Sequence, residues 1–216
     1  KGVTRVVFDD GQDLSEATSY VSRVMPALVD RLSLHTGPGL LFDQHQVDTE
    51  IDTVLEARVS LPAGGWITVE ATEALTVIDV NSGSFVDPHG LENTSLVTNL
   101  EAVTETARQL RLRRVGGIVI IDLIHMEQPE SAEAVLERLA SCLAKDRTPT
   151  QVLGISELGL VQMTRKRVGD TLARGLSDPC AICGERDHVK SVAAIAHDVL
   201  RAVEREARSG PMSGIV

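Results

Sequence analysis

Aromatic side chains are scarce in this sequence. Among 216 residues there are three Phe, one Tyr and one Trp. Proteins that hold single-stranded nucleic acid by stacking usually use several aromatic rings. The composition therefore argues against extensive base stacking within this chain. The five aromatic residues are Phe8, Tyr20, Phe42, Trp66 and Phe85.

Cysteines and long apolar runs are also scarce. Three cysteines are too few for a disulfide framework, which favours a reducing, cytoplasmic setting. No apolar run reaches the roughly 18 residues that cross a bilayer, and no signal peptide is visible. The chain begins at Lys1 rather than at a methionine, so we expect it to be part of a longer protein.

The negative charge is unevenly distributed. The formal net charge is −10, and the first hundred residues carry all of it, with 15 acids and 5 bases. An acidic chain is a poor match for a nucleic acid, but the balanced remainder contains two basic groups. The first group could simply be cations at a helix C-terminus and the second a solvated loop. Alternatively, both groups could contact a polyanion. The groups are Arg108, Arg111, Arg113 and Arg114, then Arg165, Lys166 and Arg167.

Hydrophobic periodicity predicts an α/β protein. Residues 74–81 and 118–124 have the pattern of buried strands, and residues 95–114 between them repeat apolar positions at helical spacing. This order predicts a βαβ unit with parallel strands. Gly116 and Gly117 follow the helix and are expected to cap it.

Other segments extend this pattern on both sides. Before the βαβ unit we expect a strand at 3–8, helices at 15–32 and 47–55, and a hairpin of 57–61 with 66–70. After it we expect a helix at 130–145, strands at 150–155 and 158–163, a turn at 180–184, and a helix at 189–207 before a frayed tail.

The two strands of the βαβ unit end in acids. Asp79 and Asp122 each occupy a position where a buried strand should be aliphatic, and Asn81 shares a face with Asp79. Neighbouring carboxylates repel by about 4 kcal/mol at close range and an effective dielectric near 20. A divalent cation would remove that cost. Such oxygen ligands suit Mg²⁺ or Mn²⁺, which could polarise a phosphodiester and activate water.

A simpler interpretation of each acid is a cap on the turn after its strand. For a single Asp this would be the better explanation. Two such acids joined by one crossover, with Asn81 beside Asp79, favour the metal site.

Five segments resemble the signature motifs of the ribonuclease E/G family. The similarity runs in order from about residue 2 to about residue 208. The segments are TEALTVIDVNSGS at 72–84, NLEA at 99–102, ARQLRLR at 107–113, GGIVIID at 116–122 and ELGLVQMTRKR at 157–167.

The resemblance implies an activity. Members of this family are single-strand-specific endoribonucleases that mature rRNA and tRNA precursors and start mRNA decay. By similarity, Asp79 and Asp122 bind the catalytic Mg²⁺, and Asn81 positions the scissile phosphate or the attacking water. Hydrolysis would leave a 5′-phosphate and a 3′-hydroxyl. The candidate RNA contacts are Arg108, Arg111, Arg165, Lys166 and Arg167.

The resemblance also implies a fold and its subdomains. We expect an α/β, deoxyribonuclease I-like mixed sheet with flanking helices at 72–175. A partial ribonuclease H-like subdomain at 1–71 should precede it. A zinc-link at 176–188 and the start of a small dimerisation domain at 189–216 should follow.

Two features depart from the family pattern. His125 stands three residues after Asp122, where the family usually has an acid, so we expect altered geometry or pH response. The family's OB-fold and 5′-end-sensing regions normally precede this part, so the chain alone is expected to cleave poorly. The alternatives are a catalytically weak RNA-binding or scaffold protein of the same fold and a DNA-directed phosphodiesterase.

Cys180 and Cys183 have the spacing of a zinc knuckle but supply only two of four ligands. His188 and His197 could complete a site within the chain, or the pair could hold no metal. By similarity to the family, two chains share one structural zinc, giving a homodimer or a tetramer. Cys142 is expected to be a packed thiol on a helix.

Overall fold

The computed structural model describes residues 3–180 and 184–209. The chain divides into two compact units. The small unit comprises residues 1–51 together with 192–216, and the sheet unit comprises residues 52–191. Among the described helices, none has the length and apolar character needed to cross a membrane.

The small unit begins with two short parallel strands. Strand β1 is Val6–Phe8, helix α1 is Gly11–Val24, a 3₁₀ helix is Pro26–Arg31, and strand β2 is Leu32–Leu34. The prediction of one helix over 15–32 was wrong at both ends, because the helix begins earlier, at Gly11, and ends at Val24. The helix stops before Met25 because the following proline disfavours helical backbone at that residue, whose φ is −145°.

Two helices follow in the chain, α2 (Leu41–Gln44) and α3 (Val47–Leu55), and the second matches its predicted range. The hairpin was also predicted, and it forms β3 (Arg58–Ser60) and β4 (Trp66–Ala71). The βαβ unit is confirmed as β5 (Leu75–Asn81), α4 (Leu91–Leu112) and β6 (Gly117–Asp122). Helix α5 (Pro129–Leu143), β7 (Thr150–Ile155) and β8 (Leu160–Arg165) complete the central part.

These strands form one mixed, six-stranded sheet. Its strand order is β3-β4-β5-β6-β8-β7, with β5 and β6 parallel and every other neighbouring pair antiparallel. An α/β fold with flanking helices is therefore confirmed. The expected subdomain boundary at residue 72 lies between β4 and β5, which are paired strands of this sheet.

The last elements were only partly predicted. Helix α6 is Leu172–Leu176, and the short antiparallel strands β9 (Ser177–Cys180) and β10 (Gly184–Lys190) had no counterpart in the prediction. Helix α7 is Val192–Ser209. The tail after residue 209 and the tip of the predicted turn at 181–183 lie outside the described residues.

Helix α7 belongs to the small unit and is held there by ion pairs. Arg205 donates to both carboxylate oxygens of Asp43, at 2.6–2.9 Å, and to Asp48 at 2.6 Å. Arg201 lies 3.3 Å from the same Asp48 carboxylate. The hydrogen bond from Arg205 lowers the pKa of Asp43. These pairs join α7 to α2 and α3 within the unit.

One face of the sheet is the core, and the other carries both polar and partly exposed apolar side chains. The buried positions alternate along the strands and pack with the apolar sides of α4 and α5. The opposite face, here called the open face, carries exposed and half-buried side chains. The largest fully buried apolar residues of the sheet unit are Ile67, Ile78, Leu110, Ile121, Leu139 and Met163.

The glycines after α4 have a different role from the one predicted. The left-handed residue at the helix end is Arg114, with φ of +56°, and the Val115 N–H donates to the Leu110 carbonyl at 3.0 Å. A Cβ on Gly116 would lie 2.7 Å from the Cα of Arg167. Glycine is therefore required there for the close approach of another segment.

Arg165 is a structural residue, which corrects its prediction as an RNA contact. Its side chain is 2% exposed and lies 2.8 Å from Asp146. It also donates to the Val115 carbonyl at 2.9 Å and to the Thr150 hydroxyl at 3.3 Å. Burial would raise the pKa of Asp146, but hydrogen bonds from the Thr148 N–H and Arg165 outweigh it and lower that pKa.

Replacing this buried cation should destabilise the sheet unit. We expect Arg165→Ala to lower the free energy of unfolding by about 1–3 kcal/mol, because it removes the charged donor from the Val115 carbonyl and from the half-buried Asp146 carboxylate. Urea denaturation followed by circular dichroism would measure the change. Arg174→Ala is the matched control, since the Arg174 side chain is 78% exposed. Equal stability of the two variants would contradict this account.

Candidate active site

Asp79 and Asp122 lie side by side at the ends of the two parallel strands. They are direct partners in the register of β5 and β6. Neighbouring strands lie about 4.8 Å apart, and paired residues project to the same face. The predicted adjacency of the two acids is therefore confirmed.

The predicted burial of these acids was wrong. Both acids are exposed on the open face. Their neighbours along the strands, Ile78, Val80 and Ile121, point into the core. Water screens the pair, so their repulsion is nearer the bulk value of about 1 kcal/mol at 4 Å than the larger value expected for a buried pair. Two like charges directly opposite each other still destabilise the pairing of β5 with β6, and a cation bound between them would remove this repulsion.

Asn81 completes the polar group on this face. Its Nδ2 donates a hydrogen bond to Oδ2 of Asp79 at 2.6 Å. The bond fixes the carboxylate orientation, and the amide oxygen of Asn81 is a further hard ligand. Among the described residues, no cluster of three or more His, Cys, Asp or Glu could hold a metal. Two carboxylates and an amide suit Mg²⁺, which keeps several waters and takes substrate oxygens.

The segment after Asp122 is clamped by a residue that sequence reasoning did not assign. Asn99 on α4 is fully buried. Its Nδ2 donates to the carbonyl of Ile124 at 2.8 Å, and its Oδ1 accepts from the N–H of Ile124 at 3.0 Å. Because Ile124 is two residues beyond Asp122, Asn99 positions the end of β6. The only sequence signal was its place in the NLEA motif.

Glu92 holds the next part of the same segment. Its carboxylate accepts from the N–H of Glu127 at 2.8 Å and of Gln128 at 3.3 Å. A hydrogen bond from Ser131, followed by these backbone bonds, lowers the pKa of Glu92, and the charge of His125 adds a smaller effect. His125 is exposed between the two clamped points, so its side chain faces solvent rather than the core.

The basic residues lie at the other end of the sheet. In the register of β6 and β8, Asp122 pairs with Leu160 and Gly117 pairs with Arg165. Five residues separate these ends, which is about 17 Å along a strand. Helix α4 connects the end of β5 to the start of β6, so its final residue, Leu112, lies toward the Gly117 end.

We use the term basic edge for Arg111, Lys166 and Arg167, all exposed at this distant end. The remaining candidate, Arg108, lies 2.9 Å from Glu105 on the same helix. The structure thus brings Asp79 together with Asp122 but does not bring the predicted RNA-contacting cations to them.

The cysteine pair is only partly described. Cys180 ends β9, and it is the register partner of Gly184 at the start of β10. Cys183 lies outside the described residues. His188 is the register partner of Pro179, and His197 is exposed on α7. The position of Cys180 at the end of β9 is compatible with a zinc knuckle, and the metal stays a prediction.

Comparison with known proteins identifies the family. The model of the ribonuclease E/G family matches residues 1–168. The chain belongs to the ribonuclease E/G family. The motif with Asp79 and Asn81 and the motif with Asp122 both lie within the matched region.

Named members of the ribonuclease E/G family are similar along most of the chain. Ribonuclease G of Haemophilus influenzae is 40% identical over 201 residues, which are 93% of this chain and 41% of that protein. Ribonuclease G of Escherichia coli is 38% identical with the same coverage. Ribonuclease E of Synechocystis is 46% identical over 149 residues, 69% of this chain and 22% of that protein. The chain spans about two fifths of the length of the ribonuclease G relatives.

Removing the Asn99 clamp should loosen the end of β6. We expect Asn99→Ala to lower the free energy of unfolding by about 1–3 kcal/mol, because it leaves the half-buried N–H and carbonyl of Ile124 without their partner. Amide hydrogen exchange at Ile124 should become faster, and urea denaturation would measure the loss. Thr104→Ala, at an exposed site on the same helix, is the control. Unchanged exchange at Ile124 would show that the clamp is dispensable.

Proposed function

We propose that this chain is the catalytic part of a Mg²⁺-dependent endoribonuclease. It would cleave single-stranded RNA by hydrolysis and leave 5′-phosphate and 3′-hydroxyl ends. The observation that carries the proposal is the register of Asp79 with Asp122, with Asn81 bonded to Asp79. Relatives named ribonuclease G and ribonuclease E support RNA as the substrate. Maturation of rRNA and tRNA and decay of mRNA are the proposed roles.

The three polar residues have distinct proposed roles. Asp79 and Asp122 would hold Mg²⁺ through their carboxylates, since both are exposed and adjacent on the open face. When bound, the ion would stabilise negative charge on the phosphoryl oxygens of the RNA. Asn81 would keep the Asp79 carboxylate oriented and would contact the scissile phosphate or the attacking water.

The basic edge would bind a distant part of the same RNA. Arg111, Lys166 and Arg167 are exposed, and a cation that contacts phosphate contributes binding without reading sequence. Because the edge lies about 17 Å from the acids along the strands, its contacts would fall several nucleotides from the cleaved bond. It would supply affinity rather than chemistry.

Removing either carboxylate should abolish cleavage. We expect Asp79→Asn or Asp122→Asn to lower the rate of cleavage of a 5′-monophosphorylated single-stranded RNA by at least about a hundredfold, because metal-bound charge stabilisation is lost. The full-length protein should be used in a gel-based assay with Mg²⁺. Glu70→Gln is the matched control, as Glu70 is an exposed acid of β4 on the same face.

Near wild-type cleavage by either Asp variant would contradict the proposal. RNA binding without Mg²⁺-dependent cleavage by the unaltered protein would instead favour a scaffold role, which the unusual His125 also suggests. Equal cleavage of matched RNA and DNA oligonucleotides would favour a general phosphodiesterase.

The architecture carries a further part of the proposal. Residues 72–175, which lie within the sheet unit, would be the deoxyribonuclease I-like subdomain of the family, and residues 1–71 would be part of a ribonuclease H-like subdomain. Cys180 and Cys183 would form a zinc-link in which two chains share one ion. The pairing of β9 with β10, in which Cys180 is the register partner of Gly184, supports this arrangement.

Metal content should show whether the zinc is shared. We expect half a zinc per chain by elemental analysis and a dimer by sedimentation. Cys180→Ser should lose both the zinc and the dimer, because a structural zinc contributes on the order of 10 kcal/mol to the stability of the structure it holds. Cys142→Ser on α5 is the control. One whole zinc per chain, or a monomer that retains zinc, would favour completion within the chain by His188 or His197.

A further inference from the structure

The single tryptophan of the chain lies beside the candidate active site. Trp66 on β4 is the register partner of Asn81, and Thr68 on the same strand is the partner of Asp79. Partners share a face, so the indole lies on the open face next to the amide that orients Asp79. One of the five aromatic rings of the chain therefore lies beside the acids of the candidate site.

The indole is held on two sides. The guanidinium of Arg58 lies over the ring, with its carbon 3.8 Å from the ring centroid. The turn after β5 approaches from another direction, since a Cβ on Gly83 would be 2.8 Å from Cζ3 of Trp66. A ring fixed in this way loses little conformational freedom when a ligand binds, which favours recognition.

Arg58 lies in the same row of paired strand residues as the two acids. On the open face of the described strands β3 to β8 it is the one positively charged residue. The register runs from Arg58 through Thr68 and Asp79 to Asp122, so Arg58 lies two strand spacings, about 10 Å, from Asp79. Arg58 is an exposed residue, which leaves its guanidinium accessible to a ligand.

We infer that Arg58 and Trp66 form a stacking platform for one RNA base next to the phosphate at Asp79, Asn81 and Asp122. RNA-binding proteins stack splayed bases on aromatic rings and on arginine planes. Here the base would lie on the guanidinium, which the indole supports from below. This inference rests on the proposed function and adds a base-binding position to it.

An Arg-to-Lys substitution can distinguish base stacking by Arg58 from simple electrostatic attraction of phosphates. Lysine would keep the positive charge of Arg58 but has no planar group to stack between an indole and a base. If Arg58 only steers phosphates, Arg58→Lys should behave like the natural protein. If it stacks a base, the same variant should lose affinity. If Trp66 only fills space against the turn, RNA should not alter its environment.

The sole tryptophan also supplies the measurement. A short single-stranded oligoadenylate RNA, titrated without Mg²⁺ into the 216-residue chain, should quench the fluorescence of Trp66. Arg58→Lys should weaken binding about tenfold and reduce the quenching, in line with the loss of one stacked base. Arg174→Lys is the control, since Arg174 is highly exposed and loosely paired, and it should match the natural chain.

A cleavage assay on the full-length protein separates this inference from the proposed function. Arg58→Lys and Trp66→Phe should raise KM about tenfold for oligoadenylate, with a kcat within about twofold of the unaltered enzyme. The phenylalanine variant keeps an aromatic ring, so it also shows whether the larger indole is needed.

Three results would overturn the platform. They are no quenching by RNA in the natural chain, equal quenching and affinity in Arg58→Lys, or a fall in kcat without a change in KM. Quenching and its loss in Arg58→Lys, together with no cleavage by the full-length enzyme, would leave the base-binding position intact. That combination would reject the proposed endonuclease activity instead.

Discussion

The parallel pairing of β5 with β6 is the constraint on which the site depends. It places Asp79 opposite Asp122, and a shift of one residue in either strand would turn one carboxylate into the core. The register is fixed by the buried partners on the other face, Ile78 with Ile121. Apolar packing on one side of the sheet thus holds two like charges together on the other, which is the site where we propose that a divalent cation binds.

The two acids are supported from behind by helix α4 and are exposed to solvent on the open face. Behind β6, Asn99 and Glu92 on α4 hold the backbone of the segment that follows Asp122. In front, Asp79 and Asp122 are exposed on the open face, and the nearby cations lie at different distances from them. Arg58 lies in the same row as the acids, whereas the basic edge lies at the far end of the strands.

Strand positions and helix faces could be predicted from periodicity, because apolar spacing is a local property of the chain. What the sequence could not show was which face of the sheet stays open, and this is why Asp79 and Asp122 were expected to be buried. Arg165 was grouped with its exposed neighbours because adjacency along a strand hides the alternation of faces. Asn99 was found in a family motif, but its reciprocal bonds to Ile124 depend on a helix crossing the sheet.

The most direct test of the central claim is paramagnetic broadening by Mn²⁺ in an NMR spectrum of the chain with assigned carboxylate resonances. One bound ion should broaden the side-chain signals of Asp79 and Asp122 together, at the same metal concentration, with Asn81 affected next. Excess Mg²⁺ should restore all three. Broadening of one Asp without the other, or of neither while distant acids respond, would show that the two carboxylates do not share a metal.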